Sequence, residues 1–229
     1  MKRFTISQAA LTELFWSRIF SYSEDFSYRR IELQRAIALQ DDLRPQADYN
    51  TGSITFCAAW SLYSLTSYFI PSNICEIGTF IGKSTIAMAL ALDHCGRPGL
   101  IQTCDLSNDF DINWSGDTKI IQNFKTTSPD MLTKIDSPQD LLFVDGRLSA
   151  ADLDVMQTEN FAKCIFVFDD TEGTEKGVAN QFVVEQKMKD RFCIYPPSTE
   201  ILKQNNFHGG SSTLSLSIPS SMVTFARQG

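Results

Sequence analysis

The apolar positions of this chain follow two rhythms, and the change falls at Pro71. Over residues 7–42 the rhythm is helical. Leu11, Phe15 and Ile19 recur every fourth position, and residues 31–39 repeat the habit until Arg44-Pro45 halts it. Thr51-Gly52-Ser53 reads as a helix cap, followed by Ile54, Ala58, Leu62, Leu65 and Phe69 along one helix face. Beyond Pro71, short apolar runs alternate with helical stretches. Residues 74–77, 100–104, 120–124, 141–144, 164–168, 192–195 and 213–218 read as strands, and 84–92, 129–134, 150–156 and 176–188 as helices. That alternation predicts βαβ crossovers and hence a mostly parallel sheet. The last two strands have no periodic segment of helix length between them, which predicts an antiparallel pair at one edge. The expected fold is α/β: a doubly wound, mostly parallel, seven-stranded Rossmann-like sheet. A helical N-terminal extension over residues 1–50 precedes a main domain over 51–229.

Composition narrows the partners. At 229 residues, a chain buries roughly 70–75% of its unfolded surface and needs no staples. The net charge is −7, and residues 1–50 are balanced, so the acidic excess lies wholly in 51–229. No Lys/Arg cluster is present to track a phosphate backbone, which argues against nucleic acid. The six cysteines form no C-x-x-C pair and sit mostly beside apolar residues, as buried reduced thiols do. The longest apolar run, 86–92, is far short of a membrane span, and the start MKRFTISQAALTEL lacks the apolar core of a signal peptide. A cytoplasmic protein with no membrane partner is expected.

In an open parallel sheet, ligands bind beyond the carboxyl ends of the strands. The first strand ends in Glu76-Ile77-Gly78-Thr79-Phe80-Ile81-Gly82-Lys83-Ser84. Gly82-Lys83-Ser84 suggests a phosphate loop, and Phe166-Val167-Phe168-Asp169-Asp170 its partner strand. That loop, however, needs a glycine where Ile77 stands, and Glu76 would repel phosphate. A dinucleotide loop needs a third glycine. The spelling E-x-G-x-x-x-G-x-S instead resembles motif I of the class I S-adenosylmethionine-dependent methyltransferases. Their cofactor carries an ammonium and a sulfonium, so carboxylates beside it are favourable. The resemblance implies the methyltransferase form of the Rossmann-like fold, with cofactor contacts from Glu76, Gly78, Thr79, Phe80, Gly82 and Ser84. Glu76 would orient the loop or receive the amino-acid end. Asp105, 29 residues after Glu76 at the end of the second strand, suits two ribose hydroxyls. Ser128, after the third strand, would lie near the adenine.

The fourth strand ends in Asp145-Gly146 and the fifth in Asp169-Asp170. Three carboxylates at adjacent strand ends would converge and raise one another's pKa, and Mg²⁺ is the natural remedy. These two segments resemble the small-molecule O-methyltransferase branch that includes macrocin-type sugar O-methyltransferases. The likeness implies a metal on Asp145, Asp169 and Asp170 that polarises a hydroxyl of a small acceptor, a nearby base that deprotonates it, and Asp145 bridging cofactor and acceptor. This chain departs from the pattern: Arg147-Leu148 replaces Asp-His, and Thr171 replaces a tyrosine. Metal and base therefore stay open, with Asp145 and His208 as candidate bases and His94 read as a surface or packing residue. Residues 1–50 would cover the acceptor or form a homodimer contact. Two other readings remain: a protein that binds the cofactor without catalysis, and a phosphate-loop nucleotide-binding protein centred on Lys83.

Overall fold

Strands β4 (Leu141–Val144) and β5 (Ile165–Phe168) are apolar at every position. Such strands must be covered on both faces, and both are buried throughout. The computed structural model describes residues 7–24, 27–42, 53–106 and 111–222. The expected stop at Arg44-Pro45, the cap at Thr51-Gly52 and the boundary between 50 and 51 lie outside the described residues. The elements run α1 (Gln8–Glu24), α2 (Ser27–Asp41), α3 (Phe56–Phe69), β1 (Asn73–Ile77), α4 (Lys83–His94), β2 (Leu100–Asp105), β3 (Lys119–Phe124), α5 (Ser128–Leu132), β4, α6 (Ala150–Met156), β5, α7 (Lys176–Lys187), β6 (Arg191–Ile194), α8 (Thr199–Gln204) and β7 (Ser215–Pro219).

One seven-stranded sheet has the order β3-β2-β1-β4-β5-β7-β6. Strands β1 to β5 pair in parallel, and β7 is antiparallel to both β5 and β6. The order reverses between β1 and β4, which opens a crevice beyond their carboxyl ends. The period-2 alternation of the pleat sorts the core. Leu141, Phe143, Ile165 and Val167 face a cluster made with α1–α4 and α8, while Leu142, Val144, Phe166 and Phe168 face the side of α5–α7.

The sequence reading differs from the structure at two places. Thr55, rather than the segment before it, caps α3 and accepts from the Ala58 N–H at 3.1 Å. A short helix, α8, does stand between the last two strands, capped by Ser198. Only Ile201 and Leu202 of it are buried, too few to show a period.

The helices before β1 are integral to the core. Trp16, Ile19 and Phe20 of α1 and Leu33 and Ile37 of α2 are buried in the same cluster as the sheet residues Ile74 and Phe143. The Trp16 indole donates to the Tyr195 carbonyl at 2.7 Å. Arg30 spends its charge inside this layer, donating to the Asn205 carbonyl at 2.7 Å and lying over Trp60 and Phe207. His94 is a packing residue: its Nδ1 bonds Tyr63 Oη at 2.8 Å, and its Nε2 lies 3.0 Å from a Glu32 carboxylate oxygen.

Candidate functional site

The chain leaves β1 through two glycines, and both do what a side chain could not. Gly78 has φ +95°, and a β-carbon there would lie 3.1 Å from the Asp145 carbonyl carbon and 3.3 Å from its oxygen. The loop is thus pressed against the end of β4, where the Asp145 N–H donates to the Ile77 carbonyl at 2.8 Å. On the other side, the Gly78 and Thr79 N–H groups both donate to the Cys104 carbonyl, at 3.0 and 3.2 Å. Gly82, at φ +78°, caps α4 in a left-handed conformation open to glycine.

Between the glycines, Phe80 is also left-handed, at φ +46°. Its N–H donates to Asp105 Oδ2 at 2.8 Å. Asp105 is 9% exposed, at the carboxyl end of β2. The carbonyl of Asp105 accepts from the Thr126 N–H at 3.1 Å, which draws the start of α5, with Ser128 as its first residue, to the same edge.

Glu76 lies beneath the loop, fully buried. One of its carboxylate oxygens accepts from the Ser84 hydroxyl and the other from the Thr85 hydroxyl. Burial pushes its pKa up to about 7, against the pull of the hydroxyls of Ser84, Thr85 and Thr103. Of the two roles expected for Glu76, this geometry matches orienting the loop. Ser84 is engaged by the same bond, so the pair ties α4 to β1.

The roof over the loop comes from outside the Rossmann-like core. Lys83 Nζ lies 3.0 and 3.1 Å from the two carboxylate oxygens of Asp41, at the end of α2. A β-carbon on Gly82 would meet Ile112 Cδ1 at 2.6 Å and Gln40 Oε1 at 3.8 Å. Gln40 is 8% exposed, and its Oε1 has no hydrogen-bond partner among the described residues. With Lys83 turned to Asp41 and a buried carboxylate under the loop, the site does not suit a triphosphate. No local signal marks Gln40 or Asp41, since the approach of Gln40 to Gly82 and of Asp41 to Lys83 is purely tertiary.

Asp145, Asp169 and Asp170 do converge at the ends of β4 and β5, but a cation of the chain itself already stands among them. Lys176 Nζ lies 2.8 Å from Asp145 Oδ1 and 3.2 Å from Asp170 Oδ2. Asp169 turns inward instead, where its Oδ1 accepts from the Thr213 hydroxyl and from the Asp170 N–H. Burial and the neighbouring Asp169 push Asp145 up to about 7, against the pull of Lys176. Burial likewise raises Asp169, against its bonds to Thr213 and the Asp170 N–H. Burial alone would lower Lys176, yet Asp145 and Asp170 carry it above the ordinary lysine value. Among the described residues, no group of three or more His, Cys, Asp or Glu is arranged to hold a metal ion. The Mg²⁺ expected from the sequence does not fit: an ammonium claims two of the carboxylates, and the third faces a hydroxyl.

Lys176 was missed because a lysine opening a helix has no spelling of its own. What seats it is Gly177, where a β-carbon would fall 1.8 Å from the Asp169 carbonyl oxygen. One turn further along the same face, Asn180 Nδ2 donates to the Gly146 carbonyl at 2.7 Å and its Oδ1 accepts from the Leu148 N–H at 3.0 Å. Arg147, between them, is exposed. His208 is exposed in the turn after α8 and makes no hydrogen bond or ion pair with the described residues.

The residues present fit S-adenosylmethionine. Gln40 Oε1 is a buried acceptor beside Gly82 with no partner among the described residues, and Asp105 places a carboxylate beside Phe80, so the site offers oxygens to a ligand rich in N–H and O–H groups. Residues 75–171 match the family model described as a methyltransferase domain. No curated protein matches the chain. Among solved structures it is similar to the O-methyltransferase TomG of Streptomyces achromogenes, involved in tomaymycin synthesis and solved with S-adenosylmethionine. Identity is 17%, with 81% of this chain and 89% of that one covered and a TM-score of 0.54. The methyltransferase PaMTH1 of Podospora anserina, bound to S-adenosylhomocysteine, is 14% identical over 96% and 99% of the two chains, TM-score 0.54. An O-methyltransferase of Bacillus cereus, also with S-adenosylhomocysteine, is 13% identical over 90% and 98%, TM-score 0.53. At these identities the likeness establishes the fold.

Proposed function

We propose that this chain, whose residues 75–171 match the model of a methyltransferase domain, transfers a methyl group from S-adenosylmethionine to a hydroxyl of a small-molecule acceptor. The observation that carries this reading is the seating of Gly78 against Asp145, which joins the glycine loop to the carboxylate cluster in one crevice. The activity of TomG and of the Bacillus cereus enzyme, both O-methyltransferases, supports oxygen as the methylated atom.

When bound, the cofactor supplies an electrophilic methyl on a sulfonium. The chain's part is to hold and orient it. Asp105 would accept from the ribose hydroxyls, the backbone of Gly78, Thr79 and Phe80 would lie along the methionine portion, and Ser128 would border the adenine. Gly82 keeps the start of α4 free of a side chain, and Glu76 with Ser84 fixes the loop from below. Methyl transfer is an in-line displacement, so positioning and deprotonation of the acceptor are what the protein contributes. Asp145, at about 7, is tuned to take that proton near neutral pH. His208, exposed and unpartnered among the described residues, does not serve as the base in this scheme. The helices before residue 50 roof the loop through Gln40 and Asp41. Leu14, Ile31 and Leu39 are exposed on α1 and α2, and we assign them to a homodimer contact that light scattering would reveal. No described helix is long and apolar enough to cross a membrane, and all six cysteines are free thiols, in keeping with a reducing cytoplasm.

Calorimetric titration with S-adenosylhomocysteine, with ATP and Mg²⁺ in parallel, tests the reading. Micromolar binding of the first alone supports it, and binding of ATP alone overturns it. A screen of hydroxylated acceptors then separates catalysis from cofactor binding without chemistry. Loss of turnover in Asp145→Asn, with S-adenosylhomocysteine binding retained, supports the assigned base.

A further inference from the structure

The sequence resemblance implies a divalent cation at the ends of β4 and β5, and the residues there do not fit one. Resting on the methyltransferase reading above, we propose that the Lys176 ammonium is the resident cation of this site. It neutralises Asp145 and Asp170 and acts as a positioning residue for the acceptor hydroxyl, so that the chain works without a divalent metal.

Three observations carry this. The first is the bridge itself: one Nζ lies within ion-pair distance of two carboxylates just beyond the ends of two different strands, which is the topological task a bridging metal performs. The second is that the bridge is built. α7 can seat Lys176 there only because Gly177 offers no β-carbon to the Asp169 carbonyl, and because Asn180 ties the same helix face to Gly146 and Leu148. The third is that the placement runs against local preference. Lys176 is the first residue of α7, where the helix dipole disfavours a cation and favours an acid. A lysine held there is paid for by the two carboxylates it bridges. Asp169, meanwhile, is satisfied by Thr213 and does not wait for a metal.

An ammonium can do part of a metal's work. It offers donors to an acceptor oxygen and stabilises negative charge developing on it as Asp145 removes the proton. Unlike a metal it imposes no coordination geometry, so orientation must come from the seating of α7.

The test uses Mn²⁺ as the probe, read by electron paramagnetic resonance and calorimetry on the full chain stripped with a chelator. Wild type is expected to show no Mn²⁺ site dependent on Asp145, and Lys176→Arg likewise. Lys176→Met and Lys176→Gln should each acquire one, binding Mn²⁺ roughly tenfold or more tightly than wild type, and Asp145→Asn added to either should abolish the gain. A wild-type Mn²⁺ site that disappears in Asp145→Asn overturns the proposal, whatever the variants do. Lys176→Met and Lys176→Gln that fold yet take up no more Mn²⁺ than wild type overturn it too. S-adenosylhomocysteine titrated into the same samples keeps the two readings apart: its failure to bind counts against the methyltransferase assignment, while the Mn²⁺ results still decide the role of Lys176.

Discussion

Lys83, the residue that makes the glycine loop look like a phosphate loop, is bound to Asp41 through both carboxylate oxygens, at 3.0 and 3.1 Å. The lysine side chain is buried and the aspartate is half exposed, so the pair is a partly screened clasp between α4 and α2.

Lys83→Met should therefore loosen the end of α2 without removing the cofactor site. The expected loss of stability is about 1 kcal/mol or less, with faster amide exchange over residues 36–41. Affinity for S-adenosylhomocysteine should fall no more than a few-fold. A collapse of binding in this variant would place Lys83 on the ligand.

Asp105→Asn keeps an oxygen to accept from the Phe80 N–H but removes the charge that the ribose hydroxyls would meet. Charge-assisted hydrogen bonds contribute about 1.5–3 kcal/mol, so affinity should drop by roughly 10- to 150-fold. The melting temperature should move little. Calorimetry against wild type gives the answer, and undiminished affinity would remove Asp105 from the site.

Glu76 sets a pH dependence of stability. Its folded pKa, about 7, exceeds the ordinary value of 4.5 because the carboxyl is buried. Between those two values the unfolded chain has lost a proton that the folded chain keeps. The stabilisation is thus complete below about 4.5 and is lost as pH rises through 7. Glu76→Gln is neutral throughout. Its stability relative to wild type should rise between pH 4 and 8, by an amount on the order of 3 kcal/mol. Urea unfolding at several pH values measures this, and a difference that stays flat with pH would falsify the assignment.

Gly177→Ala weighs two effects of opposite sign. Alanine in place of glycine favours a helix by about 1 kcal/mol. Here, however, the added methyl would fall 1.8 Å from the Asp169 carbonyl oxygen, a backbone atom that cannot swing aside. Overpacking of that kind typically costs about 1–3 kcal/mol, and α7 must shift and carry Lys176 with it. Net destabilisation is expected by chemical denaturation, together with a weaker Lys176–Asp145 pair. A more stable variant would contradict the seating described for α7.

Much of the sheet was legible because its strands are unambiguous. Runs such as Leu141–Val144 and Ile165–Phe168 are too short for helices and too apolar for loops. Their carboxylate endings were equally visible, since Asp145 and Asp169 each follow an apolar run directly and Asp105 closes the strand read at 100–104. What escaped was everything fixed by contact across the fold. The clasp from Asp41 to Lys83 spans 42 positions, and nothing local announces it. Lys176 stands where helix electrostatics would favour an acid, so local reasoning points away from it. α8 escaped for the opposite reason: six residues with one buried pair carry no period to read.

The burial of Trp16, Ile19, Phe20, Leu33 and Ile37 also bears on how ligands enter and leave. Peeling α1 and α2 off the sheet would return these five side chains to water, at about 1.5–3 kcal/mol each. An opening that costs on the order of 10 kcal/mol is populated about once in ten million molecules, too rarely to gate each catalytic cycle. The roof is therefore expected to stay shut as a body. Exchange of the proposed cofactor is then expected to proceed by small local displacements around Gln40 and Asp41.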